Sequence, residues 1–429
     1  MFCVFCDREV TEASQQKGMD IYMSFTHSYS VPAYYPNFHC KAGDCRHPCC
    51  TGWDITISMT EYFHMLGMDC SPELRRRLDT AFHLADEPSE DRYAIISPRW
   101  DGDCPLHLPN GFCGLQCECG EGAIPSICRY YPRSPKSKYA YQCQCSNSCE
   151  AVVELLFSWQ EPMTFLRQRL SFAFSEPIPH EHDPITRLFP AVQRACLHIL
   201  QDRTRPLALR LQHLGEMTIV MDVPYRQGNA AGIQAVLPFS TVAGGADHIN
   251  EYLPLNDREL TGVLTCLRDL LVWIETNNES LRTFAVFARN LLSMPSEGTI
   301  DAATIALWRT HEAAMARRFP DNDRMLEQIF VNHLCYDGFP FSAEHQNLWD
   351  SYLAFCTAYA LVRLLSVYHL ASFESSEEYK HLSPIEAYAD IVATIFRMVA
   401  HTNFGHNAAI LARRFSYDHP MSAFLLCRL

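Results

Sequence analysis

The cysteines of this chain are crowded into its first third, and they limit what that part can fold into. Fifteen of the 20 cysteines lie in the first 149 residues, four of them within the stretch FHCKAGDCRHPCCTGWD. The first residues, MFCVFCDREV, lack the basic segment followed by an apolar segment that a secretory signal needs, so we expect a cytoplasmic protein. Cytosolic reductants keep thiols reduced, and the crowding therefore favours metal ligation over disulfides.

Composition and charge exclude one large class of function. The chain has 429 residues, of which 48% are hydrophobic and 20% charged, enough for one large core or two ordinary ones. The formal net charge is -14, and no basic domain stands out. A protein that binds nucleic acid by neutralising phosphates is therefore not expected.

The texture of the sequence changes near residue 150. We divide the chain into an N-terminal extension (1–30), a cysteine-rich metal-binding or iron–sulfur region (31–150) and a helical domain for substrate or partner recognition (151–429). The middle region contains one clear helix signal, Ser71 as N-cap followed by Pro72. The predicted fold is mainly α, with an irregular cysteine-rich region packed on the larger helical domain because no flexible linker separates SNSCE from AVVELLFSW.

Apolar residues recur at helical spacing through most of the second region. This periodicity predicts helices within residues 150–174, 185–202, 257–275, 279–294, 302–319, 324–334, 348–370 and 383–400. The interval 225–254 is predicted to be a loop, either facing a partner or substrate or simply connecting helices. Residues 351–373 are long enough to cross a membrane, but Arg363 and His369 lie inside them, so we predict a buried core helix and no membrane span.

The spacing of the thiols suits a metal centre without choosing its kind. Cys40, Cys45, Cys49 and Cys50 are separated by four, three and no residues. Adjacent side chains point apart in an extended backbone, so Cys49 and Cys50 either serve different centres or one of them packs. A second set follows at Cys104, Cys113, Cys117, Cys119, Cys128, Cys143, Cys145 and Cys149. An all-sulfur set suits zinc or an iron–sulfur cluster, and a purely structural zinc module stays open.

Two smaller groups of residues qualify that prediction. Three histidines keep a mixed nitrogen and sulfur site open: His39, His47 and His107. Five later cysteines lie in apolar periodic stretches, where a free thiol behaves as a small buried hydrophobe: Cys196, Cys266, Cys335, Cys356 and Cys427.

Four segments carry a family resemblance: YPNFHCKAGDCRHPCCTGWDI, CPLHLPNGFCGLQ, IPSICRYYPR and SCEAVVELL. In them the chain resembles the flagellin lysine-N-methylase family and a wider group of zinc- or iron-chelating proteins with a similar Cys-Cys signature. The later segments MLEQIFVNHLCYDGFPF and FRMVAHTNF are also similar to the methylase family. The resemblance implies S-adenosylmethionine-dependent methylation of lysine side chains on flagellin, with an iron–sulfur cluster, of the 4Fe–4S type, or alternatively zinc on the cysteines.

The resemblance also implies a ligand set. The family-like thiols are Cys40, Cys45, Cys49, Cys50, Cys104, Cys113, Cys128 and Cys149. Cys117, Cys119, Cys143 and Cys145 look like additions or shifted equivalents. Pro125, Tyr131, Pro132 and Arg133 match a family element around YPR.

The sequence assigns no catalytic residue. It contains no G-x-G-x-x-G turn, which disfavours a Rossmann-type methyltransferase. Asn332-His333 echoes a SET-type signature, but its neighbours are predicted to be helical, so we attribute it to chance. The usual radical-enzyme loop, Cys-x3-Cys-x2-Cys, is absent. Displacement and radical routes therefore both stay open.

Four residues are candidates for holding the methyl donor. A sulfonium cation favours aromatic faces and carboxylates, which points to Trp53 and Asp54 beside the thiols. The alternative is that Trp53 packs against the cysteine region and Asp54 caps a turn. Arg129 and Arg133, in a run with Lys136 and Lys138, could hold a carboxylate or dock an acidic partner, or lie in a solvated loop.

Two functions are consistent with these features. The first is a protein-lysine methyltransferase with an iron–sulfur cluster. The second is a non-catalytic zinc- or iron-binding protein that uses its helices to bind a partner.

Overall fold

The computed structural model describes residues 25–173, 183–240, 254–277, 279–292, 294, 297–341, 347–373 and 381–429. Its strands are β1 (Phe25–Pro32), β2 (Ile55–Ile57), β3 (Phe82–Leu84), β4 (Ala94–Ile96), β5 (Arg133–Lys136), β6 (Gln142–Cys145) and β7 (Phe165–Phe172). Its first helices are α1 (Met59–Leu66), α2 (Pro72–Ala81), α3 (Gly114–Cys119), α4 (Ser126–Tyr130), α5 (Glu150–Ser158), α6 (Phe189–Leu200), α7 (Leu207–Arg226) and α8 (Ala230–Val236). The remaining helices are α9 (Asp257–Asn277), α10 (Glu279–Leu292), α11 (Ala302–Arg318), α12 (Asn322–Asp337), α13 (Leu348–Phe373), α14 (Pro384–His401), α15 (Phe404–Arg414) and α16 (Pro420–Cys427).

The chain is mainly α, as the periodicity predicted, and helix caps explain several of the helix starts. Ser58 and Ser383 form capping boxes at the starts of α1 and α14. The predicted cap at Ser71 is also present, because its side chain accepts from the Leu74 amide at 3.2 Å. These caps satisfy amide groups that the first turn of a helix leaves without partners.

Two small sheets frame the cysteine-rich region. The larger one has the order β5-β6-β1-β7, with β1 antiparallel to β7 and parallel to β6. The smaller one has the order β2-β4-β3 and is antiparallel throughout. The larger sheet contains strands from both sides of residue 150. The division of the chain into 1–30, 31–150 and 151–429 stays a prediction.

The structure corrects the predicted helix over residues 150–174. Helix α5 ends at Ser158, and residues from Phe165 onward form β7 instead. Pro162 lies between the two elements, and proline cannot continue a helix because it lacks an amide hydrogen and clashes with the preceding turn. Beyond Pro162, β7 pairs with β1 over the full length of both strands.

The predicted loop over residues 225–254 is also partly wrong. Helix α7 continues to Arg226, and α8 occupies Ala230–Val236. The Asn229 side chain caps α8 by accepting from the Gly232 amide at 2.9 Å. Residues 241–253 lie outside the described residues.

Helix α13 forms the centre of the helical part. Among the described residues, it is the one helix long and apolar enough to cross a membrane, and 89% of its most apolar window is buried inside the protein. Arg363 reaches Glu312 at 3.5 Å and the Leu429 carbonyl at 3.3 Å. The prediction of a buried core helix is confirmed.

Each part of the chain has its own apolar core. The helices share one extensive core, to which β1 and β6 also contribute. A smaller core, containing Ile57, Leu78 and Ile96, lies between α1, α2 and the three-stranded sheet. The cysteine-rich region therefore holds more continuous apolar surface than its Pro- and Gly-rich sequence indicates.

Buried ion pairs fix the first cysteine loop on the helices. The Arg46 guanidinium donates to Asp390 on α14 at 2.7 and 2.9 Å and to Glu154 on α5 at 2.5 Å. The backbone amides of Arg46 and His47 both donate to Glu150, at 3.1 and 2.8 Å. Asp390 and Glu150 are almost fully buried, so these contacts are shielded from water.

We expect Arg46→Met to lower the free energy of unfolding by about 3 kcal/mol, because removing the guanidinium leaves the buried Asp390 carboxylate without its main partner. Arg77→Met is the matched control, since the Arg77 ion pair with Glu73 is largely exposed and contributes less than about 1 kcal/mol. Chemical denaturation measures both values. Equal losses in the two variants would contradict the role of the buried pairs.

Candidate metal centre

Ten cysteines face a single cavity of about 760 Å³. They are Cys40, Cys45, Cys49, Cys50, Cys104, Cys113, Cys117, Cys119, Cys128 and Cys149. All eight family-like thiols are among them. The structure thus brings together residues that are more than a hundred positions apart in sequence.

The other described cysteines lie elsewhere. Cys143 and Cys145 are on β6 and fully buried in the main core. Cys70 packs beside the smaller core without facing the cavity. The five later cysteines are buried as predicted, and Cys3 and Cys6 lie outside the described residues.

Two cysteine-bearing loops touch through glycines. Gly111 has φ +83°, and a Cβ at that position would lie 2.7 Å from the Gly43 carbonyl oxygen. A Cβ on Gly43 would in turn lie 2.7 Å from the Phe112 ring. Larger residues at either position would push the loops apart, so the glycines allow the close approach that closes this side of the cavity.

Backbone amides point at several of the sulfur atoms. The Ala42 amide donates to Cys40 Sγ at 3.3 Å. Cys104 receives such bonds from Leu106 and His107, Cys113 from Leu115 and Gln116, and Cys149 from Ala151 and Val152. Burial raises the pKa of all four thiols, and the amide donors oppose it because they stabilise the thiolate.

Cys49 and Cys50 lie in a turn, and their thiols contact each other rather than pointing apart. The hydrogen bond from Cys50 lowers the pKa of Cys49 despite burial, and the Arg397 guanidinium lowers it further. The same hydrogen bond, together with burial, raises the pKa of Cys50. Cys49 is therefore the thiol of this pair that ionises first.

The donor set would suit a thiolate-bound cluster of several metal ions better than a single ion. Within the residues that the structure describes, no three His, Cys, Asp or Glu side chains converge closely enough to hold a single metal ion. The thiols instead surround a common space and are supplied with amide donors, which is how proteins hold metal-bound sulfur. Of the three candidate histidines, His47 alone lines the cavity, while His39 is exposed and His107 bonds to Asp103.

Of the four candidates for binding the methyl donor, two line the cavity and two do not. Arg129 and Arg133 line the cavity. Trp53 does not; its indole Nε1 donates to the Cys49 carbonyl at 2.9 Å, and the Arg397 guanidinium covers its ring at 5.1 Å. Asp54 is exposed and accepts from Ser97 at 2.6 Å. This geometry favours the packing role for Trp53.

One contributor escaped the sequence analysis. Arg397 donates to the carbonyls of His47, Pro48 and Thr51, which places α14 against the first cysteine loop. One turn later, His401 Nε2 lies 2.8 Å from Ser148 Oγ, and burial lowers the pKa of His401 to about 4. Two sequence signals cover this segment: the predicted helix over residues 383–400 and the similarity of FRMVAHTNF to the methylase family. Neither signal indicates that Arg397 contacts the first cysteine loop.

We expect Cys45→Ser to lower the amount of bound metal and to destabilise the cysteine-rich region, because metal-binding free energy is also folding free energy. Cys70→Ser is the matched control, since Cys70 belongs to the same region but does not face the cavity. Elemental analysis of purified protein measures the metal. Equal metal loss from both variants would mean that the cavity is not the binding site.

Comparison with known proteins gives a family match for most of the helical part of the chain. A model of the FliB lysine N-methylase C-terminal domain matches residues 193–413, from α6 to α15. No solved structure gave a significant match.

Three Salmonella proteins are similar over shorter stretches. Lysine-N-methylases of Salmonella choleraesuis and Salmonella typhimurium are each 26% identical over 117 residues, 27% of this chain and 28% of their own length. The flagellar biosynthetic protein FliU of Salmonella muenchen is 25% identical over 146 residues, 33% of this chain and 83% of its own. The chain thus covers little more than a quarter of either methylase. Because the domain model covers more than half of its residues, the chain belongs to the FliB lysine N-methylase family.

Proposed function

We propose that this protein transfers methyl groups from S-adenosylmethionine to lysine side chains of flagellin, and that its cysteines hold an iron–sulfur cluster. The observation that carries the proposal is the thiol-lined cavity in a member of a lysine N-methylase family. The names of the Salmonella relatives, two methylases and a flagellar biosynthetic protein, support the reaction and the choice of flagellin.

The cavity supplies what an iron–sulfur cluster needs. Soft thiolates are the usual ligands of such clusters, and amide donors to sulfur tune them. A bound 4Fe–4S cluster would supply either one-electron chemistry or a rigid structural centre. Zinc is the alternative occupant, but the described thiols would have to move closer together to bind a single ion. Either metal would be loaded in the reducing cytoplasm where we place the protein.

Two arginines are the best candidates for anchoring the methyl donor. Arg129 and Arg133 are fixed cations on the cavity wall, and a guanidinium binds a carboxylate such as that of S-adenosylmethionine. Arg133 is held in place by the rings of Phe38 and Tyr35, at 4.9 and 5.8 Å. Trp53 and Asp54 stay predictions for the same role, although they lie outside the cavity.

The chemistry requires a neutral lysine amine. Its ordinary pKa is about 10.4, and desolvation beside a largely apolar cavity wall lowers it. In the displacement route, the amine nitrogen attacks the methyl carbon, the carbon–sulfur bond breaks and S-adenosylhomocysteine leaves. The amine then loses a proton to solvent. The protein's task is to align the two reactants.

The same cavity also suits a non-catalytic zinc- or iron-binding protein, because a thiol site can hold metal without a second substrate. The helices would then bind a partner. Colour separates the two functions in part, since iron–sulfur protein absorbs visible light and zinc protein does not.

The test of the reaction is co-expression of the cognate flagellin with this protein, followed by intact-mass spectrometry. We expect the mass of flagellin to rise in steps of one methyl group when it is co-expressed with the wild type or with Cys70→Ser. Its mass should not change with Cys49→Ser. Free lysine should not be methylated, because recognition of a folded partner supplies most of the binding.

A contrary result is equally clear. Unmodified flagellin from cells that contain the metal-loaded wild type would exclude the methylase and leave metal binding as the function. Methylation by Cys49→Ser at the wild-type level would show that this thiol is not needed for the reaction.

A further inference from the structure

Two buried cysteines outside the cavity have thiols in direct contact. Cys356 lies in α13 and Cys427 is the last residue of α16, and their Sγ atoms are 3.3 Å apart. The exposed fractions of the two residues are 0% and 1%. A disulfide bond is about 2.05 Å long, so the two sulfur atoms need to approach by only about 1.3 Å to be bonded.

The packing of three helices fixes this contact. Helix α16 packs against both α13 and α7. Tyr352, one turn before Cys356, donates its hydroxyl hydrogen to the Leu211 carbonyl of α7 at 3.1 Å. The same hydroxyl oxygen lies 3.5 Å from Cys427 Sγ. The two thiols are therefore held together by the core, and groups held in contact react much faster than groups that must meet by diffusion.

A second pair of buried cysteines lacks this contact. Cys196 on α6 and Cys335 on α12 have the same exposed fractions, 0% and 1%, and lie within electrostatic range of each other. Within the described part of the chain, no hydrogen bond joins their sulfur atoms, whereas the Cys427 thiol donates to Cys356. The two pairs differ in contact rather than in burial, which makes Cys196 and Cys335 a matched control.

The two cysteines of the touching pair differ in how easily they can be exposed. Helix α16 has eight residues, and a helix of that length depends on packing for its stability. Local opening of such a short element costs less free energy than global unfolding. Cys356 lies within the 26-residue α13, and burial raises the pKa of its thiol. An oxidant therefore meets Cys427 first.

Membership of the family does not imply this pair. The match to the FliB domain model ends at residue 413, before α16 begins. The sequence alone predicts both cysteines to be small buried hydrophobes, because nothing in their local patterns brings residues 356 and 427 together.

We propose that Cys356 and Cys427 are the site of a reversible disulfide, formed with a peroxide as the oxidant. The Cys427 sulfur attacks one peroxide oxygen, the O–O bond breaks, and a water molecule leaves a sulfenic acid on Cys427. The Cys356 sulfur then attacks the Cys427 sulfur, the S–O bond breaks, and a second water molecule leaves. Both thiol protons end in water, and the peroxide is reduced while the two sulfurs are oxidised. Thiol reductants of the cytoplasm reverse the reaction.

The disulfide would join α16 covalently to α13. The local opening that admits the oxidant could then no longer separate the two helices. This inference depends neither on the metal nor on the methyl transfer proposed above, since neither cysteine faces the cavity.

The test uses the full chain, treated with hydrogen peroxide, alkylated with N-ethylmaleimide in denaturant and digested with trypsin and chymotrypsin. Chymotrypsin is needed because no lysine or arginine separates Cys335 from Cys356. Mass spectrometry should find the Cys356 and Cys427 peptides linked, at a mass two hydrogen atoms below that of the two thiol peptides, and dithiothreitol should separate them. Cys196 and Cys335 should be alkylated. Sulfoxide at Met421, which is exposed on α16, shows that the oxidant has acted.

The variant Cys356→Ala tests the order of the two steps. Its Cys427 should stop at the sulfenic acid, which dimedone traps, and the linked peptides should be lost. A link from Cys427 to another cysteine at the wild-type yield would contradict the proposal, because contact would then not decide the partner.

Two results with the wild type would overturn the proposal. One is alkylated Cys356 and Cys427 in protein whose Met421 is oxidised. The other is a link between Cys196 and Cys335 that forms as readily as the link between Cys356 and Cys427, because oxidation would then follow unfolding rather than the contact in the folded protein.

Discussion

The buried ion pairs around Arg46 are the constraint on which the cysteine cavity depends. The guanidinium joins Asp390 of α14 to Glu154 of α5, and the amides beside it are fixed on Glu150. Breaking such a pair leaves a charge buried without a partner, which costs several kcal/mol. The loop that carries Cys40, Cys45 and Cys49 therefore has one strongly favoured position, and one wall of the cavity follows from it.

The protonation of the thiols depends on a second balance, between burial and hydrogen bonding. Burial raises the pKa of most of them, to about 11 at Cys104 and about 12 at Cys45 and Cys149, and so keeps them protonated at neutral pH. Protonated thiols are poor nucleophiles, which protects the set from oxidation. A metal must displace these protons, so its affinity should rise with pH. Amide donors lower the free energy of deprotonation at Cys40, Cys104, Cys113 and Cys149, and the Arg397 guanidinium does so at Cys49.

Local patterns predicted much of this structure. Cap and periodicity signals found α2, α13 and α14, because those signals act within a few residues. The family resemblance selected eight thiols, and all eight face the cavity. Thiol spacing alone left twelve candidates, among them Cys143 and Cys145, which are buried in the main core.

What the sequence analysis missed depends on contacts between distant residues. Strand β7 is stabilised by pairing with β1, more than a hundred residues earlier, so helical spacing misled the prediction there. Arg397 reaches the carbonyls near His47 across some 350 positions, which no local window can detect. Trp53 is a candidate for binding the methyl donor because it lies beside the thiols in the sequence, yet the Arg397 guanidinium covers its ring.

The order of the strands brings together the two ends of the segment that carries most of the cavity thiols. Cys40 to Cys128 all lie in one excursion that leaves the sheet after β1 and returns to it at β5, and β6 alone separates those two strands. Neighbouring strands are about 4.8 Å apart, so the ends of the excursion emerge within about 10 Å of each other. The sheet itself thus contributes the loop closure that metal ligands would otherwise have to provide. A metal bound by these thiols would therefore occupy a site whose two chain ends the sheet already holds together.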